Sequence, residues 1–164
     1  MNKIYLAGGC FWGTQHFFSL VNGVNRTKVG YANGTIENPS YEQVCSKIYN
    51  FAETVEIEYD ENQIELDSLL NKFFITINPT SLNKQGGDRG LQYRTGIYYL
   101  NDEDRKIAKK ALDNLQSKYS KPIQIELLPL KNFYNAEDYH QDYLKKNPTG
   151  YCHIPLDIFK RANE

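Results

Sequence analysis

The segment Gly8–Gly13 contains the most reactive candidate in this chain of 164 residues, Cys10. An apolar stretch typical of a strand precedes Cys10, and aromatic residues at helical spacing follow it, which predicts a helix N-terminus at this position. The partial positive charge of such an end stabilises a thiolate and lowers the pKa of the thiol, and this generates a sulfur nucleophile. A buried cysteine at a tight turn fits the placement equally well. Phe11 and Trp12 could wall a small apolar pocket beside a reactive thiol, although aromatic pairs more often pack in a core.

Glu53 is the second residue that could take part in catalysis, because of its place in the segment Glu53–Tyr59. Residue types alternate along this segment as they do in a strand with two different faces. The two faces are Glu53, Val55, Ile57 and Tyr59 on one side and Thr54, Glu56 and Glu58 on the other. We expect the first face to point inward, where burial raises the pKa of a carboxyl group and lets it act as a general acid. The alternative is a surface carboxylate at a strand end.

The segment Gly86–Arg94 is predicted to be a loop that leads into a strand, and it is dense in hydrogen-bonding groups. Ordinary turn chemistry explains its glycines and Asp88. Turn formation does not require Gln92, Tyr93 and Arg94 in succession. The chain has 13 tyrosines in all, and a few of them could line a polar pocket.

The other two cysteines differ in their surroundings. Cys152 lies in Asn147–Cys152, where a proline and a glycine predict a mobile loop. A thiol on such a loop can reach a second thiol when the two Cα atoms come within about 7 Å of each other. Cys45 follows Val44 ahead of the Glu53–Tyr59 strand, and we interpret it as a packing residue.

Other kinds of catalytic centre fit the sequence less well. A cysteine–histidine pair would need one of the three histidines, His16, His140 or His153, beside the reactive thiol. His16 lies six residues beyond Cys10 on the same predicted helix, so it should point to a different side. Zinc sites need CxxC or HxxxH spacing, which is absent, and no glycine-rich segment matches a dinucleotide-binding or phosphate-binding loop.

These residues need a scaffold, and the hydrophobic pattern predicts alternating strands and helices up to about residue 130. The predicted strands are Lys3–Ala7, Val24–Tyr31, Glu53–Tyr59, Arg94–Leu100 and Ile123–Leu127. Helices are predicted after Cys10, along an apolar stripe from Leu66 to Ile77, and from an N-cap at Asn101 to Tyr119, with a loop over Ala32–Tyr41. We therefore expect one α/β or α+β domain over residues 1–164, a sheet covered by helices, with a long irregular C-terminal tail.

Composition excludes several classes of function. Lys and Arg total 19 against 20 Asp and Glu, a net charge of −1, so the chain has no global field to hold a nucleic acid. No apolar run approaches the roughly 20 residues of a membrane span. Three cysteines are too few, and odd in number, for a secreted disulfide framework. We expect a cytoplasmic monomer that binds neither nucleic acid nor membrane.

Several segments together resemble the peptide methionine sulfoxide reductases of the A type, which reduce the S epimer of the sulfoxide. The matching segments are Gly8–Gly13, Asn38–Ser46, Ala52–Glu53, Pro79–Gly86, Asp88, Gln92–Arg94, Ala136–Gln141 and Asn147–Cys152. The chain departs from the family pattern outside its reaction centre. Gln15 stands where the family usually has Glu, Phe51 where His often precedes Ala-Glu, and Ile77-Asn78 where His-Asp commonly precedes Pro-Thr.

The resemblance implies a fold and a reaction. The fold would be a two-layer α/β plait, ferredoxin-like, with a mixed sheet. Cys10 would attack the sulfoxide sulfur, Glu53 would protonate the departing oxygen, and the resulting Cys10 sulfenic acid would condense with Cys152. A thioredoxin-like protein would then reduce the disulfide, and no cofactor would be needed.

The resemblance also implies how substrate is held, whether free methionine sulfoxide or an oxidised protein. Tyr41 and Tyr93 would hydrogen-bond to the sulfoxide oxygen, Asp88 would orient a water molecule or the peptide, and Phe11 and Trp12 would hold the methyl group. One alternative is a binding or scaffold domain that keeps the pocket without turnover. Another is a thiol peroxidase, which would consume peroxide without sulfoxide.

Overall fold

A six-stranded mixed sheet lies at the centre of the computed structural model, which describes residues 1–164. The strands of the chain, in order, are β1 (Asn2–Ala7), β2 (Val24–Ala32), β3 (Ala52–Tyr59), β4 (Lys84–Gln85), β5 (Asp88–Arg89), β6 (Thr95–Tyr99), β7 (Ile125–Pro129) and β8 (Phe133–Asn135). The central sheet has the order β7-β6-β1-β3-β2-β8, in which only β6 and β7 are parallel neighbours. β4 and β5 pair with each other in a separate antiparallel ribbon.

Six helices connect and cover these strands. They are α1 (Phe11–Ser19), α2 (Tyr41–Cys45), α3 (Leu66–Phe74), α4 (Asp102–Gln116), α5 (Tyr143–Lys146) and α6 (Leu156–Phe159). Ser40 and Gln43 form a capping box at the start of α2, and the Asn101 side chain accepts the backbone N–H of Asp104 at 2.8 Å, as predicted for α4. No helix is both long enough and apolar enough to cross a membrane.

The predicted strands and helices are present, and the structure adds elements that were not predicted. One is the β4–β5 ribbon, whose second strand lies in the segment Gly86–Arg94 that was predicted as a loop. α2 begins at Tyr41, the last residue of the segment predicted as a loop. β8 lies in the segment after Pro129 that was predicted to be irregular, and it pairs with β2. The last predicted strand is also displaced, to Ile125–Pro129. Both β8 and this displacement depend on pairing partners that are distant in sequence.

The helices pack against one face of the sheet and enclose a core of 28 buried residues. The sheet contributes Ile4, Leu6, Val29, Tyr31, Val55, Ile57 and Ile97 to this core. The opposite face is covered as well, because Phe133 of β8 packs against Tyr5 at a ring distance of 5.1 Å. Glu56 is buried on this second face, where its carboxylate accepts the Tyr5 hydroxyl at 2.8 Å. The alternation of residue types along β3 did not predict that both faces of this strand are covered.

Candidate active site

Cys10 lies where the chain leaves the middle of the sheet and enters α1. Gly8 and Gly9 make this turn: φ is +80° at Gly9, and a Cβ at Gly8 would come within 2.8 Å of Ile77. Cys10 is the N-cap residue of α1, and its side chain makes no capping hydrogen bond. The thiol therefore lies at the positive end of α1, in the position that the sequence predicts.

Glu53 reaches the same helix end from β3, the strand next to β1. Its Oε1 accepts the backbone N–H of Phe11 at 3.3 Å, and the residue is only 2% exposed. Burial raises the pKa of Glu53 to about 8, while the Phe11 N–H lowers it in part and Asp88 raises it further. At neutral pH the carboxyl group of Glu53 is thus largely protonated. It is bonded to the residue that directly follows Cys10.

The pKa of the Cys10 thiol differs from the prediction. Burial raises this pKa above its ordinary value, the charge of Glu53 raises it further, and the Trp12 backbone N–H lowers it only in part. The prediction of a lowered pKa was wrong because it considered the helix N-terminus and not the loss of water around the sulfur. At rest Cys10 is a neutral thiol.

Three predicted polar residues approach this centre from other segments. Tyr41 is the first residue of α2, and its backbone N–H donates to Glu137 Oε2 at 3.1 Å. Tyr93 ends a 3₁₀ turn, and burial raises its pKa, with further contributions from Glu53 and Asp88. Asp88 has a raised pKa through burial, and its Oδ2 is buried without a hydrogen-bond partner. The site thus brings half-buried phenol and carboxyl groups towards the buried Glu53.

His140 lies against both predicted aromatic residues, and Tyr143 stacks on one of them. Phe11 is buried, and Trp12 stacks on Tyr143 with ring centroids 3.7 Å apart. The Trp12 indole N–H donates to His140 Nδ1 at 3.0 Å. The ring of His140 also lies 5.2 Å from that of Phe11 and 5.0 Å from that of Tyr41. His140 lay in a matching segment, whereas nothing in the sequence indicated that Tyr143 stacks on Trp12.

Cys152 packs against α1 about one turn from Cys10. A Cβ at Gly13, three residues beyond Cys10, would lie 2.7 Å from Cys152 Sγ. Cys152 Sγ accepts the backbone N–H of Ile154 at 3.4 Å, and all three cysteines are free thiols. Cys45 lies at the end of α2, where burial raises its pKa and a hydrogen bond with Tyr41 opposes the shift.

Comparison with known proteins decides the family. A family model described as peptide methionine sulfoxide reductase matches residues 2–164. The chain belongs to this family. It is 59% identical over 163 residues to the peptide methionine sulfoxide reductase MsrA of Lachnoclostridium phytofermentans, across 99% of this chain and 98% of that one. As a member of the peptide methionine sulfoxide reductase family it is an oxidoreductase.

Solved structures of a yeast relative have the same fold. The crystal structure of Mxr1 from Saccharomyces cerevisiae in reduced form matches with a TM-score of 0.89 and 41% identity, over 94% of this chain and 91% of that one. The crystal structure of Mxr1 in complex with Trx2 matches with a TM-score of 0.62 and 29% identity, over 87% and 84% of the two chains. The mixed α/β architecture is therefore shared with the reductase family.

The departure from the family pattern at Gln15 has a structural explanation. The Gln15 amide donates to the backbone oxygen and to the hydroxyl of Thr27, both at 3.3 Å, and accepts the backbone N–H of Asp142 at 2.8 Å. A carboxylate can accept but cannot donate, so an amide suits this buried position. Gln15 thereby ties α1 to β2 and to the residue that precedes α5.

The other departures also take structural roles. Phe51 is buried in the core cluster. Ile77 packs against Gly8, and Asn78 exchanges two backbone hydrogen bonds with the Gln85 side chain at 2.8 and 3.0 Å. None of these departures replaces Cys10, Glu53 or the Phe11 N–H that bonds to Glu53. No three side chains of His, Cys, Asp or Glu are grouped to hold a metal ion.

Proposed function

We propose that the protein reduces methionine S-sulfoxide, free or within oxidised proteins, to methionine, and so repairs oxidative damage. One observation carries this proposal: Glu53, a buried carboxyl group with a pKa near 8, is bonded to the N–H of the residue that follows Cys10. A sulfoxide oxygen leaves poorly unless it is protonated. The reaction therefore needs an acid as well as a sulfur nucleophile. Cys10 and Glu53 supply both at one helix end, because the Cys10 thiol can pass its proton to Glu53 as Glu53 protonates the oxygen.

The first step forms a bond from Cys10 Sγ to the sulfoxide sulfur as Glu53 donates its proton to the oxygen. The oxygen is then transferred to Cys10, which gives a sulfenic acid and releases methionine as the thioether. The thiol proton of Cys10 restores the acid form of Glu53, so no net proton is consumed. The sulfoxide sulfur gains two electrons, and the Cys10 sulfur loses two.

The groups around this centre suit a sulfoxide. Tyr41 and Tyr93 offer two neutral phenols as donors to the oxygen, since burial raises the pKa of each. Asp88, with its unpartnered Oδ2, would orient a water molecule or the peptide. The apolar wall of Phe11 and Trp12 would receive the methyl group. An acid on one side and an aromatic wall on the other would select one epimer at the chiral sulfur.

We propose that Cys152 resolves the sulfenic acid as a Cys10–Cys152 disulfide with loss of water. The close approach of Cys152 Sγ to α1 at Gly13 supports this pairing. A thioredoxin-like protein would then reduce the disulfide by thiol exchange, and the crystal structure of Mxr1 in complex with Trx2 supports such a partner. The reaction would need no metal or prosthetic group.

We further propose that residues 1–164 act as one domain and as a cytoplasmic monomer. The finer fold description, a ferredoxin-like plait with an irregular C-terminal tail, is also a proposal. Its support is the β1-α1-β2-β3-α3-β6 succession, with the short elements α2, β4 and β5 left aside, and the strand order β6-β1-β3-β2. The segment after β8 has only one 3₁₀ turn and two four-residue α-helices.

Turnover of racemic methionine sulfoxide with dithiothreitol tests the proposal. The S epimer should disappear while the R epimer stays, and Cys10→Ser should abolish the reaction because a hydroxyl is a much weaker nucleophile. Loss of both epimers at one rate would contradict the stereochemical assignment. Binding without turnover would indicate a scaffold protein, and consumption of peroxide alone would indicate a thiol peroxidase.

A further inference from the structure

His153 is a buried histidine that the proposed reaction leaves without a role. Its imidazole packs against Gly9, where a Cβ would lie 3.0 Å from Cε1 and 3.1 Å from Nε2. Gly9 directly precedes Cys10, and Cys152 directly precedes His153. The ring therefore lies beside the backbone that carries both thiols.

Both ring nitrogens of His153 are buried, and neither has a hydrogen-bond partner. Buried polar atoms in native proteins are nearly always paired, so two unpaired nitrogens need an explanation. Burial lowers the pKa of His153 to about 4, and the Gly8 backbone opposes this shift without making a well-formed hydrogen bond. The ring is neutral at pH 7, with one nitrogen free to accept a proton and the other able to donate one.

The other two histidines are placed differently. His140 already uses Nδ1 to accept the Trp12 indole N–H. His16 lies edge-on to Phe159 at a ring distance of 5.0 Å. Of the three histidines, His153 alone has both nitrogens buried and unpaired.

The step that forms the disulfide needs a group that moves a proton. Burial raises the pKa of the Cys152 thiol above its ordinary value, so Cys152 is protonated at neutral pH. A neutral thiol is a poor nucleophile, and the hydroxyl group of a sulfenic acid leaves best as water. A neutral imidazole beside the backbone that carries both thiols can serve both needs, because it can take the thiol proton on one nitrogen and give its own N–H proton to the hydroxyl group from the other.

We propose that His153 transfers the proton in the step in which Cys152 attacks the Cys10 sulfenic acid. The S–S bond forms as the Cys152 proton passes to the imidazole, and the imidazole delivers a proton to the hydroxyl group that leaves Cys10. The Cys152 sulfur is oxidised, the Cys10 sulfur is reduced, and water is released. This proposal rests on the proposed function, because it requires that a sulfenic acid forms at Cys10.

His153→Gln tests the proposal, since glutamine keeps a polar side chain of similar reach but cannot relay a proton. One equivalent of methionine S-sulfoxide is added without reductant, and methionine and disulfide are followed separately after rapid quenching. Methionine should form at the parent rate. The disulfide should form about 10²–10⁴-fold more slowly, the usual contribution of general acid–base catalysis. A 1,3-diketone reagent should trap the sulfenic acid that accumulates. His16→Gln is the matched control, and we expect it to form both methionine and the disulfide at the parent rates.

His153→Ala separates proton transfer from packing. Free imidazole should restore part of its disulfide-forming rate if proton transfer is what was lost. Parent-rate disulfide formation in His153→Gln, or loss of the methionine burst in that variant, would overturn the proposal. Failure of free imidazole to rescue disulfide formation in His153→Ala would also overturn it. If the parent protein forms no methionine, the proposed function fails rather than the role of His153.

Discussion

Replacement of Glu53 by glutamine should slow sulfoxide reduction and also change how folding stability depends on pH. The amide fits the same space and can still accept the Phe11 N–H, which Glu53 Oε1 accepts at 3.3 Å. It cannot donate a proton to a leaving oxygen, so the chemical step should slow by about 10²–10⁴-fold. The same substitution removes a buried group that has to ionise as pH rises.

The size of the stability effect follows from the pKa of Glu53, which burial raises from 4.5 to about 8 in the folded protein. When folding raises the pKa of a carboxyl group, the stability it contributes is complete below the unfolded pKa and is lost as pH rises through the folded pKa. Each pH unit within this window changes the free energy of unfolding by about 1.4 kcal/mol. Between pH 5 and 7.5 the parent should therefore lose about 3 kcal/mol relative to Glu53→Gln.

Urea unfolding of the parent and of Glu53→Gln at both of these pH values measures this difference. Any effect of the amide on the free energy of unfolding that does not depend on pH cancels in the comparison. Glu56→Gln is the matched control, because Glu56 is buried on the opposite face of β3 and bonded to Tyr5. We expect Glu56→Gln to reduce sulfoxide at the parent rate. Parallel stability curves for the parent and Glu53→Gln, or an unchanged rate of methionine formation in Glu53→Gln, would refute the assignment of Glu53 as the buried acid.

Three further results are expected. Tyr41→Phe and Tyr93→Phe should each slow single-turnover methionine formation less than loss of the acid does, because the two phenols share the oxygen; a larger loss in either would contradict this sharing. Cys152→Ser should complete one turnover, stall with thioredoxin and recover with dithiothreitol, and sustained turnover with thioredoxin would exclude Cys152 as the resolving residue. Gly13→Ala should displace Cys152, since the added carbon would lie 2.7 Å from its Sγ. Faster labelling of Cys152 by a thiol reagent would show the displacement, and an unchanged labelling rate would count against the packing.

The parts of the site that could be predicted from sequence are those set by local rules. Alternation along β3 correctly indicated that Glu53 points inward, and the strand, glycines and aromatic spacing placed Cys10 at a helix N-terminus. The capping preference of Asn101 likewise located the start of α4. Each of these depends on a few neighbouring residues, whose types limit the backbone and the burial of the side chain.

The remaining features depend on contacts between distant segments. The raised pKa of Cys10 comes from the covering of the thiol by the fold and from Glu53, which is 43 residues away in sequence. Glu56 is bonded to Tyr5, against which Phe133 packs from a segment that carried no strand signal. His153 approaches Gly9 only because the end of the chain returns to α1. No local pattern encodes such contacts, so only the structure could show them.

A single turnover without reductant distinguishes reduction resolved by Cys152 from the alternatives. The protein is mixed with one equivalent of methionine S-sulfoxide, then alkylated, digested and mapped by mass spectrometry. We expect one methionine per chain, a Cys10–Cys152 disulfide and an alkylated Cys45. Absence of methionine, or a dominant disulfide between Cys10 and Cys45, would contradict it.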